Sequence, residues 1–136
     1  MFEITSVAAK DQATIELNKA NGEPLCDTEG NRLSVTVWGP GSKAYAAAQA
    51  ARQQRLLDRS ARKGRNARMT PEEAARENAE FLAACTVSFN GWAYQGKADA
   101  QAFVLAYADP ALGWLADQVG AGVSDWANFS SGSAQS

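Results

Sequence analysis

At 136 residues, with 46% hydrophobic and 21% charged side chains, the chain has room for one globular domain and a sizeable core, which argues against disorder and against a disulfide scaffold. No apolar run approaches the roughly 20 residues needed to span a bilayer, and the opening MFEITSVAAK lacks the basic start and apolar middle of a signal peptide. A net charge of −2, no histidine, two distant cysteines outside any CxxC, and no GxGxxG, GxxxxGK(S/T) or GxSxG motif predict a soluble, intracellular, non-enzymatic domain with no cofactor, metal or membrane partner.

The chain opens with strands. Ala13–Asn18 alternates apolar and polar residues, and Leu33–Trp38 alternates more cleanly, putting Leu33, Val35 and Val37 on one face. The turn-rich stretch 21–31 joins them as an antiparallel pair, and Phe2–Val7 offers a third strand. Gly39-Pro40-Gly41 ends this part, and Ser42 is a good N-cap for a helix from Lys43 to about Arg62, rich in alanine early and arginine late. Gly64 stops it, with Arg65–Met69 read as a flexible basic linker.

Thr70-Pro71-Glu72-Glu73 is a capping box with proline at the first helical position, starting a helix that runs to about Cys85. On it Glu72, Arg76 and Glu80 stand at ion-pair spacing. Asn90-Gly91 between alternating runs predicts a small hairpin over 87–94, pairing Phe89 with Trp92 and Val87 with Tyr94; the alternative is an irregular connection that inserts the indole into a helical core. Asp99 caps a short helix, Ala100–Ala108, and Asp109-Pro110 opens a last one running toward Phe129. The fold class is therefore mainly α within α+β: one domain over 1–129, strand-rich over 1–41 and helical over 42–129, with 130–136 a disordered tail.

Charge and aromatics are both segregated. Residues 42–68 carry eight basic side chains against Asp58, while the segments on either side are acidic. Arg52, Arg55, Arg59 and Arg62 form a basic stripe suited to docking onto acidic surface of this chain or a partner. Without interleaved aromatics or a helix-turn-helix, nucleic acid is the weaker reading. Nine of the twelve aromatics lie in 81–129, more than so small a domain readily hides. Trp92, Tyr107, Trp114, Trp126 and Phe129 are the candidates for a protein-binding surface, set against the alternative that all five rings are core.

The run Asn78–Val87, then Gly91-Trp92, then Leu105–Pro110, followed by Trp114–Val119 and Trp126-Ala127-Asn128-Phe129, resembles the C-terminal half of tail assembly chaperones of long-tailed bacteriophages and prophages. Gly22–Leu25 and Val35–Gly39, with Ser42 and Tyr45, are similar to that family's entry to its first long helix, and Trp126 stands where related proteins have arginine. Over about residues 13–129 the resemblance implies a virion-assembly protein of the host cytoplasm, absent from the mature particle. Its partners would be the tape measure protein, which it keeps soluble, and the tail tube protein that polymerises around it. Self-association, and a longer frameshifted form, stay open. The competing readings are a structural head–tail or minor tail component and a small nucleic-acid-binding protein.

Overall fold

The computed structural model describes residues 1–64 and 68–130, so part of the Arg65–Met69 linker and nearly all of the 130–136 tail lie outside the described residues. Strands β1 (Gln12–Glu16), β2 (Ser34–Trp38) and β3 (Thr86–Asn90) form an antiparallel sheet in the order β1-β2-β3. Ile15 pairs with Val35 and Ala13 with Val37, while Val35 faces Phe89 on the other side. The alternation then does its work: Val35 and Val37 are fully buried beneath the helices. The opposite face carries a polar ladder, with Thr14 and Thr36 hydroxyls 3.2 Å apart and Asn90 Nδ2 donating to Ser34 and Thr36.

The helices are α1 (Lys43–Lys63), α2 (Pro71–Ala84), α3 (Ala100–Ala108) and α4 (Gly113–Ser124). Three of the four starts follow the local chemistry, whereas Asp109-Pro110 opens only a 3-10 turn, Pro110–Leu112, and α4 begins after it at Gly113 without a side-chain cap. Ser42 Oγ accepts from Tyr45 N and donates to Gly39 O, Thr70 and Glu73 complete a capping box, and Asp99 accepts from Ala102 N. One cluster of buried residues runs from Leu17 through Val37, Leu82, Tyr107 and Val123 to Phe129, so strands and helices share a core.

Three expectations need correction. Phe2–Val7 is not a strand: Ile4–Val7 is a 3-10 helix, in which Glu3 accepts from the Thr5 amide and hydroxyl. Such local bonds compete with a ladder, and β3 takes the third place in the sheet. Nor do residues 91–94 return along β3 as a hairpin. Gly91 turns with φ 88°, but the Trp92 ring then stacks on Phe89 at 3.8 Å and its Nε1 donates to Ser34 O. Phe89 and Trp92 do meet, as stacked rings rather than as a ladder pair. Tyr94 pairs instead with Lys97 around Gln95-Gly96. The last helix also stops early: α4 ends at Ser124, and Asp125 caps a 3-10 helix, Trp126–Phe129. That break brings the Phe129 ring onto Gly39, where an added Cβ would lie 2.5 Å from it.

The stretch between β1 and β2 is more ordered than a polar loop. Leu17 N donates to Leu33 O, Leu25 N to Leu17 O and Leu33 N to Leu25 O. Asp27 holds the tip by accepting from Glu29 and Asn31 amides. Three leucines spaced by eight residues thereby become neighbours.

Candidate functional site

The five aromatic candidates separate. Tyr107 and Phe129 are core, 3% and 0% exposed, and cannot anchor a partner. Tyr107 is fixed by a 2.7 Å bond between its hydroxyl and Thr86 Oγ1, and burial pushes its pKa up. Phe129 is held under Gly39. Trp92 and Trp114 are half-buried, and Trp126 is 57% exposed.

Trp92 and Trp114 lie together. With Leu17, Leu25, Leu33 and Tyr94 they line an apolar pocket of about 140 Å³. The polar atoms of its three rings are engaged elsewhere: Trp92 Nε1 with Ser34 O, Trp114 Nε1 with Ala111 O, and Tyr94 Oη with Asp109 Oδ2. Shape and burial are what such a pocket offers an apolar side chain. Trp126 stands apart from it, its ring against Gly41. Sequence reasoning missed the three leucines, for which the eight-residue spacing was the available signal.

The arginine stripe meets acidic surface of its own chain. Arg52 lies 4.6 Å from the centroid of Phe81. Arg55 Nε donates to both Glu77 carboxylate oxygens, at 2.8 and 2.9 Å, and lies 3.2 Å from Glu80, contacts that raise its pKa. Arg59 pairs with Glu73 and donates to Arg68 O. Arg59, followed by the Thr70 amide, holds the Glu73 carboxyl at about 2. Arg62 is exposed and lines a charged cleft of about 540 Å³ between α1 and α2. Arg76 Nε stands 3.5 Å from Glu80, four residues on, as the spacing predicts.

Among the described residues no cluster of three or more His, Cys, Asp or Glu is placed to hold a metal ion, and no helix is long and apolar enough to cross a membrane. Cys26 is exposed, whereas burial pushes the Cys85 thiol up to about 11, which keeps it protonated and unreactive at neutral pH. Comparison with protein-family models, curated proteins and solved structures finds no match to this chain.

Proposed function

We propose that this chain is a phage tail assembly chaperone of the host cytoplasm, one that binds the tape measure protein, keeps it soluble and promotes tail tube assembly around it. The reading rests on the ordered motifs over residues 13–129. The observation that carries it at the level of a site is the preformed apolar pocket between Trp92 and Trp114; Trp126 is a separate exposed ring. A chaperone for a long helix with an apolar stripe needs such surface, since covering the stripe gains about 25 cal/mol per Å². The engagement of Arg55 and Arg59 by α2 glutamates weakens the nucleic-acid alternative, because those cations already have partners.

Co-expression tests it. With the wild-type chain, a co-expressed tape measure protein is expected in the soluble fraction, and Trp126→Ala and Trp114→Ala are expected to shift it to the pellet. The chaperones themselves should stay folded by circular dichroism. A client equally soluble with and without the chain overturns the reading. Mass spectrometry of purified particles is expected to find no copy of the chain; copies retained in the virion would make it a structural tail component instead.

A further inference from the structure

The cleft between α1 and α2 carries an inference that does not depend on the chaperone reading. Although α1 spans 21 residues, Ala48 is its one buried residue. Its first half is anchored: Ser42 is bonded to Gly39, Tyr45 meets Phe81 edge-on at 5.6 Å, and Arg52 covers the same ring. Beyond Arg52 no α1 residue is among the buried residues of the hydrophobic cluster or the half-buried apolar residues packed against it, and Leu56 and Leu57 are 39% and 58% exposed. Attachment there falls to charge. Arg55 binds Glu77 and Glu80, Arg59 binds Glu73, and Lys63 Nζ lies 3.7 Å from Glu73. The open cleft beside these pairs admits water and salt.

We propose that residues 53–63 form an electrostatically latched strap, which leaves α2 as a unit while the rest of the fold stays intact, with ionic strength setting the open fraction. Opening uncovers no buried apolar side chain of the strap; it exchanges the Arg59–Arg68 O bond and the ion pairs for hydration. Although the Glu77 and Arg59 side chains are only 14% and 11% exposed, their partners Arg55 and Glu73 are about a third exposed, so water and salt reach one member of each pair. Salt shifts that balance, because the screening length falls from about 10 Å at 0.1 M to about 3 Å at 1 M. Release bares Glu73, Glu77 and Glu80 as an acidic stripe on α2 and frees the arginines that covered it. A detached helix half of this length is marginal in water, so its amides lose protection once it leaves.

Hydrogen exchange by mass spectrometry on the full chain reads this directly, in about 20 mM and about 1 M NaCl, with rates normalised to an unstructured peptide. Amides of 53–63 are expected to exchange about tenfold faster at high salt, a shift of about 1.4 kcal/mol in the opening equilibrium, while α3, α4 and β2 keep their protection. At low salt Glu77→Gln should reproduce the effect, and the reversed pair Arg55→Glu with Glu77→Arg should restore part of the protection, since the carboxylate at 55 then also faces Glu80. Equal protection of 53–63 at both salt concentrations overturns the proposal, as does acceleration spread evenly over α3 and α4. If Glu77→Gln does not fold, the salt comparison on the unmodified chain decides alone.

Discussion

On the side of α3 and α4, α2 is held by burial: Leu82 is 2% exposed, Phe103 7%, Ala106 and Val119 0%, and the Thr86–Tyr107 hydroxyl bond is sealed among them. On the side of α1 the same helix presents Glu73, Glu77 and Glu80 to Arg55, Arg59 and Lys63, with Phe81 as the apolar contact at one end. Apolar burial is not weakened by charge screening and costs several kcal/mol per large side chain when lost. Exposed ion pairs are worth a fraction of that and fade with screening. Two flanks of one helix therefore differ in what breaks them: shape on one side, charge on the other.

The largest effect is expected where the buried side closes. Phe129→Ala empties a fully buried site under Gly39 and should cost about 3–5 kcal/mol in urea unfolding. Gly39→Ala attacks the same contact from the opposite face, forcing a methyl to within 2.5 Å of the ring, and should cost about 1–3 kcal/mol. If Phe129→Ala unfolds within about 0.5 kcal/mol of wild type, the C-terminal 3-10 helix does not belong to the core as described.

Features written in one short stretch of chain were legible in the sequence. Ser42, Thr70 with Glu73, and Asp99 cap the helices they were expected to start, because a cap needs only residues three positions away. The β1–β2 pair was legible through alternation. What escaped depends on partners far along the chain. Asn90-Gly91 suggests a local hairpin, yet β3 finds a better ladder on β2, some 54 positions earlier. Tyr107 and Phe129 read as candidate anchors because the groups that bury them, Thr86 and Gly39, lie far from them in sequence. The charge blocks were visible, but their pairing required α1 and α2 to lie side by side.

A middle-sized effect probes the polar bond inside the buried side. Tyr107→Phe removes one partner of the Thr86 hydroxyl, which still donates to Leu82 O. The expected cost is about 1 kcal/mol, unchanged between low and high salt, measured as a shift in urea midpoint at constant slope. A salt-dependent cost would blur the division between the flanks. Thiol titration offers a parallel readout: in the native protein Cys26 should react with a thiol reagent within minutes and Cys85 only on unfolding.

The smallest effect lies on the charged side and is best seen through acid. Glu73→Gln keeps the capping box, since glutamine reaches the N-cap amide as glutamate does, and removes only the charge facing Arg59 and Lys63. The Glu73 carboxyl is depressed from 4.5 to about 2, chiefly by Arg59. A depressed carboxyl pKa makes folding more favourable above the ordinary value, and that contribution drains away as pH falls through the folded one. Wild type should therefore melt slightly above Glu73→Gln at pH 7, and the gap should close between about pH 4.5 and 2. At neutral pH in about 1 M NaCl it should also shrink, because side chains as exposed as Glu73 and Lys63 are open to screening. A gap that persists at pH 2, or in salt, would mean that the contact is held by packing and that the two flanks of α2 are not so different after all.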